Sequence, residues 1–145
     1  MIPLSEPQMV GKESVYLQEC VETNFVSSVG PFVDRFESLC AEASGAEFAV
    51  ATSSGTAGLH AALAAIGVTR DDLVIMPSFT FIATANAIRY CGADPWFFDI
   101  DAENWTLDPS QLKATLEAET LRKDGLVIHR SSGRGVSAIL VVYTL

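Results

Sequence analysis

The chain has 145 residues, 49% of them hydrophobic, and a formal net charge of −9 from 9 Lys and Arg against 18 Asp and Glu. That length and apolar content support a folded domain with a real core and exclude a disordered chain. An acidic chain, with a pI near 4.5, has no basic cluster to neutralise phosphates, so nucleic acid is excluded as a partner and any anionic ligand needs a local site. Cys20, Cys40 and Cys91 are widely spaced, odd in number and outside any CxxC pattern. They fit reduced thiols of the cytoplasm, packed as small hydrophobes, and neither a zinc site nor a disulfide framework. The start, Met1 to Pro7, has no basic region followed by an apolar one, and no apolar run reaches transmembrane length, so no membrane partner is expected.

In chain order, residues 12–23 carry Leu17, Cys20 and Val21 at helical spacing, and residues 31–44 repeat the pattern with Phe32, Phe36, Leu39, Cys40 and Ala43. Pro31 suits a first helical turn and Gly45 a C-terminal cap. Phe48 to Ala51 reads as a first strand, and a helix follows from about Thr56 to Ile66, closed by Gly67. Leu73 to Met76 reads as a second strand, Ile82 to Tyr90 as a helix ending at Gly92, and Trp96 to Ile100 as a third strand. Asp108 and Pro109 open a helix that runs to about Glu119. Lys123 to Gly135 holds turn signals at Asp124-Gly125 and Ser132-Gly133 and predicts a small hairpin, whose arginines, Arg130 and Arg134, read as solvated loop charge. Ala138 to Tyr143 is a fourth, continuously apolar strand. Short apolar strands alternating with helices predict a parallel sheet covered on both faces, with ligands beyond the strands' carboxyl ends.

The stretch from Thr52 to His60 (TSSGTAGLH) places a small polar turn between a strand and a helix. The first amide N–H groups of that helix lack intrahelical partners and, with the helix dipole, can cradle an anion. Gly55 allows close backbone approach, and Ser53, Ser54 and Thr56 add hydroxyls. No lysine follows as a Walker A loop requires, which argues against a nucleoside triphosphate. On these residues alone, a helix cap is the competing reading.

Several blocks in matching order carry a resemblance. They are Val26 to Gly30 (VSSVG) with Phe36-Glu37, Ser54 to His60 (SGTAGLH), Pro77 to Ala87 (PSFTFIATANA), and Gly92 to Pro95 (GADP) leading to Phe98 to Asp101 (FDID). From Ile2 to about Pro109 the chain resembles the DegT/DnrJ/EryC1/StrS sugar-nucleotide aminotransferases, which are fold-type I pyridoxal-phosphate enzymes. The insertion before the last strand resembles the branch acting on 4-keto sugar nucleotides. The resemblance implies an α/β fold, namely the three-layer, mostly parallel sheet of the aspartate aminotransferase-like large domain, in truncated form. It implies an N-terminal helical segment at residues 1–45, the first part of the cofactor-binding large domain at 46–145, and no small C-terminal domain. The family's lysine that holds the cofactor covalently, and the aspartate on the pyridine nitrogen, are expected beyond Leu145, so no catalytic residue is assigned within this chain. One departure is internal: the family usually has proline where Val141 stands, and valine suits a buried strand better.

The resemblance assigns binding of the pyridoxal 5′-phosphate group to Gly55, Thr56 and Ala57 and ring packing to Phe81, with no metal. Without it, Phe81 reads as core. Ser27, Ser28 and Gly30 are candidates for the substrate side, or simply a turn between helices. The implied activity is transamination of a keto sugar nucleotide, of the nucleoside-diphosphate 4-keto-6-deoxy type, with an amino acid donor, for amino-sugar and polysaccharide biosynthesis. The implied enzyme is a cytoplasmic homodimer, and these 145 residues by themselves are expected to be inactive. Three alternatives stand beside it: a sugar dehydratase of the same family, a non-catalytic interaction module, and a metal-dependent glycosyltransferase using Asp99 and Asp101 as a DxD pair. Strand-end aspartates capping the next loop are the plainer reading of that pair. His60, inside an apolar helix, reads as a buried histidine and His129 as part of the hairpin, and neither has a triad pattern around it.

Overall fold

The structure is a computed structural model and describes residues 5–143. The start of the resemblance at Ile2 and the last residue, Leu145, lie outside the described residues. The chain divides into two compact units between Ala51 and Thr52.

The first unit holds α1, Glu13–Glu22, and α2, Pro31–Ser44. Pro31 sits at the start of α2, where its missing N–H costs nothing, and Gly45 ends it in the left-handed region at φ 69°. Tyr16 and Phe32 bring the two helices together with ring centroids 5.0 Å apart. Neither helix has a buried residue. The expected strand at Phe48 to Ala51 is not formed, because no strand among the described residues supplies it with a ladder. Phe48 and Val50 stand 77% and 83% exposed, while the Ala51 N–H donates to Glu37 Oε1 at 2.7 Å. An apolar run is a strand only where a neighbour accepts its backbone hydrogen bonds.

The second unit begins with α3, Gly55–Ala65, followed by β1, Leu73–Pro77, α4, Ala83–Tyr90, and β2, Asp94–Phe98. Then come α5, Pro109–Glu119, the hairpin β3, Thr120–Lys123, and β4, Leu126–His129, and finally β5, Val136–Ile139. The sheet runs β2-β1-β5, with both pairings parallel. All five residues of β1 are buried, as a strand covered on both faces requires. Its period-two alternation divides them: Val74 and Met76 enter a cluster with Leu63 of α3 and Ala87 and Ile88 of α4, and Ile75 enters another with Phe98 and Leu107, backed by Leu112 and Leu116 of α5. The α/β fold with helices on a parallel sheet is therefore as expected.

Strand bounds differ from the sequence reading. The third expected strand, read as Trp96 to Ile100, ends at Phe98 and starts earlier, at Asp94, because Pro95 is tolerated on a strand paired along one side only. The fourth starts at Val136 and ends at Ile139, although the Leu140 N–H still donates to Ile75 O at 2.8 Å. The hairpin forms with Asp124 and Gly125 both at positive φ, 53° and 81°, the geometry that closes a two-residue turn.

Arg134 is not solvated as loop charge would be. Its guanidinium donates to Asp71 O, to Asp72 O at 2.8 Å and to Asp94 Oδ2 at 2.6 Å, so it ties the segment before β5 to the amino-terminal end of the sheet. Arg89 reaches the other oxygen of Asp94. The three cysteines are free and half-buried. Cys91 packs against the α3–α4 core, and burial pushes its thiol up from the ordinary value, away from reactivity.

Candidate functional site

The turn ahead of α3 has the geometry of a helix cap. Ser54 is extended at φ −165° and ψ 162°, and its Oγ accepts the Ala57 N–H at 3.2 Å. The Ser54 carbonyl accepts the Gly58 N–H at 3.0 Å. Of the first four amides of α3, those of Ala57 and Gly58 are thereby satisfied, and those of Gly55 and Thr56 have no acceptor among the described residues. Ala57 is thus drawn to its own cap, whereas Gly55 and Thr56 keep free donors at the positive end of an 11-residue helix.

Both residues line a cleft of ≈ 550 Å³ that also meets Thr80, Phe81, Thr84 and Val142. The cleft lies past the carboxyl end of β1, where a parallel sheet places its ligands. No lining residue is ionisable. An anion here is met by amides, hydroxyls and a helix dipole, with no carboxylate to repel it despite the acidic chain. A Cβ on Gly55 would have nothing within 4 Å, so this glycine is not demanded by packing, and it lines the cleft. At Gly58 the reason is different: a Cβ there comes within 3.2 Å of Thr52 Oγ1, and glycine lets the turn lie against the helix.

Phe81 is 79% exposed and forms a wall of this cleft, so the core reading of its side chain is excluded. A smaller space of ≈ 350 Å³ continues past it between Phe79 and Tyr143. Thr80, Thr84 and Val142 are lining residues that sequence reasoning missed. The available signal was two threonines four apart, flanking Phe81 at a helix start.

Asp99, Asp101, His60 and His129, in the same unit, do not line the cleft. Asp101 Oδ1 accepts the N–H groups of Asn104 and Glu103, each at 2.9 Å, and Asn104 Nδ2 at 3.1 Å. Those donors, Asn104 first, hold its carboxyl below the ordinary carboxylate value. Asp99 Oδ1 accepts the Ile100 N–H at 2.8 Å, so both aspartates shape their own loop. His60 is half-buried, its ring edge-on to Tyr90 at 5.7 Å. His129 Nδ1 meets Ser132 Oγ at 2.8 Å, and its Nε2 lies 3.5 Å from Glu119 Oε2. In the first unit, the Ser28 N–H bonds Ser27 Oγ at 2.6 Å, and a Cβ on Gly30 would come within 2.8 Å of the Phe25 ring, as a tight turn between helices demands.

Residues 7–143 match the DegT/DnrJ/EryC1/StrS aminotransferase family. The chain belongs to that family. As a family member it is 40% identical over 119 residues to GDP-perosamine synthase of Escherichia coli O157:H7, a match covering 82% of this chain and 33% of the relative. Its fold matches a DegT/DnrJ/EryC1/StrS aminotransferase from Brucella abortus with a TM-score of 0.73 at 29% identity, over 88% of this chain and 32% of that one. It also matches NtdA of Bacillus subtilis, solved with bound cofactor PMP, with a TM-score of 0.64 at 32% identity, over 70% of this chain and 23% of that one. The chain spans about a third of the length of the curated relatives it matches. This aminotransferase-family segment also has no helix, among the described residues, long and apolar enough to cross a membrane.

Proposed function

We propose that this segment supplies the phosphate side of a pyridoxal 5′-phosphate site in an enzyme that transaminates a keto sugar nucleotide with an amino acid donor, for amino-sugar and polysaccharide biosynthesis. The observation that carries the reading is that Gly55 and Thr56, whose amides have no acceptor among the described residues, line a cleft without ionisable lining residues and with Phe81 as its apolar wall. The residues fit such a cofactor. Gly55 leaves room that a side chain would fill, two amides and the hydroxyls of Thr56 and Thr80 can meet a phosphate, and Phe81 can cover one face of an aromatic ring.

When bound, the cofactor supplies an electron sink for moving an amino group between donor and ketone. The chain's own part is to bind and orient. Each charge-assisted hydrogen bond from the Gly55 and Thr56 amides is worth roughly 1.5–3 kcal/mol. The Ser54 cap holds α3 in register beneath them, and Phe81 keeps water from one side of the ring. Lys113 and Lys123, in the same unit, do not line the cleft, and the 145-residue polypeptide by itself would be inactive. The domain division at residue 45, a homodimer with the site between subunits and a cytoplasmic enzyme complete the proposal. The sugar nucleotide would carry a 4-keto-6-deoxy sugar; the likeness to a GDP-perosamine synthase supports this.

A fluorescence titration of the chain with pyridoxamine 5′-phosphate and with pyridoxamine tests the reading. Saturable binding of the phosphorylated form, with the unphosphorylated form at least ~10-fold weaker, is expected from the loss of even one charged hydrogen bond. Equal binding of the two, or none of either, would refute it.

A further inference from the structure

Thr84 is the buried polar residue among those described, 3% exposed in the first turn of α4. A buried hydroxyl in a helix usually turns back to a carbonyl four residues earlier. Thr84 Oγ1 instead lies 3.4 Å from Thr80 Oγ1, and both residues line the cleft that holds Gly55, Thr56 and Phe81. Each hydroxyl has one hydrogen to donate. Thr84, closed off from solvent, can place its hydrogen on Thr80, and Thr80, half-exposed, then has its own hydrogen free for the cleft.

We propose that Thr84 is a positioning residue that makes Thr80 a directed donor to an anionic oxygen of the ligand, a phosphate or a phenolate oxygen of an aromatic phosphate. This deepens the cofactor reading and rests on it. The arrangement sets hydroxyl donors from the loop before α4 in the same cleft as the α3 amides, so that the ligand is held from two elements. It also explains a threonine at a site where valine has the same shape, prefers burial and needs no partner.

The test is a titration of the whole chain with pyridoxamine 5′-phosphate, followed by fluorescence, for wild type, Thr84→Val, Thr84→Ser, Thr80→Val and the double valine variant. Thermal unfolding is recorded alongside. Thr84→Val is expected to weaken binding about 3- to 10-fold, the range of one hydrogen bond, without lowering the melting temperature. Thr84→Ser keeps the hydroxyl and should bind as wild type. The double variant should be no weaker than Thr80→Val alone, since Thr84 acts through Thr80. Parallel titrations with pyridoxamine tell the oxygen: a Thr84→Val penalty seen only with the phosphorylated probe assigns the phosphate, and one seen with both assigns the ring oxygen. Wild-type affinity in Thr84→Val, an equal loss in Thr84→Ser, or multiplicative losses in the double variant would overturn the proposal while leaving the cofactor reading intact. A wild-type chain that binds neither probe would bring both down.

Discussion

Replacing Gly55 with alanine separates what this position does for the fold from what it does for a ligand. Gly55 is the first residue of α3, and a Cβ there has nothing within 4 Å. The folded chain therefore accepts alanine without a clash, and the unfolded chain loses backbone freedom, which stabilises the native state by about 0.4–1 kcal/mol. On the proposed reading, the same methyl stands where a phosphate would approach the amides of Gly55 and Thr56, both lining residues of the cleft. Excluding a phosphate from one such donor removes roughly 1.5–3 kcal/mol, about 10- to 100-fold in affinity. Urea unfolding followed by circular dichroism reads the first effect, and titration with pyridoxamine 5′-phosphate at submicromolar protein reads the second. Stability should rise or hold while binding falls. Wild-type affinity in Gly55→Ala would mean the phosphate is held elsewhere, and a loss of stability above ~1 kcal/mol would mean that the space at Gly55 is not open.

Phe81→Leu should leave the melting temperature within about 1 °C, since an exposed side chain contributes little to folding, yet weaken cofactor binding several-fold; a large drop in melting temperature would return Phe81 to the core. Arg134→Ala removes three hydrogen bonds between the segment before β5 and the sheet, and should destabilise the chain by about 1–3 kcal/mol in denaturant unfolding; no change would refute the tie. The Asp101 carboxyl is depressed below its ordinary value of 3.8 by amide donors, so the loop bonds it makes are fully present above that value and lost as pH falls through the lower folded value. In an NMR pH titration, the amide shifts of Asn104 and Glu103 should move with a midpoint below pH ~3.8; movement centred above that value would contradict the bonding.

What the sequence disclosed and what it withheld follow from the range of the forces involved. The start of α5 was legible because Asp108 and Pro109 are local signals, and Asp108 Oδ1 accepts the N–H groups of Ser110 and Gln111 at 2.8 and 3.2 Å. The hairpin turn was equally local. Phe48 to Ala51 failed because strand formation depends on a distant partner, and Pro95 masked the start of β2 because proline's meaning depends on which edge is paired. Arg134 was unreadable as a tie, since its acceptors Asp71, Asp72 and Asp94 lie 40 or more residues away in sequence. At the site, the Ser-Gly-Thr turn announced free amides, but that Ser54 would take the Ala57 N–H and leave Gly55 and Thr56 open required the geometry. Thr80 and Thr84 joined the site only when α4 and α3 met on one face of β1.

The central claim is that the amides of Gly55 and Thr56 receive a phosphate. Proton–nitrogen correlation spectra of the isotopically labelled chain, recorded while adding pyridoxamine 5′-phosphate, test it at the atoms concerned. The Gly55 and Thr56 amide resonances should show the largest downfield shifts, with the already bonded Ala57 amide moving less and pyridoxamine reproducing little of the effect. Largest shifts at amides away from the start of α3, or equal shifts with pyridoxamine, would contradict the account.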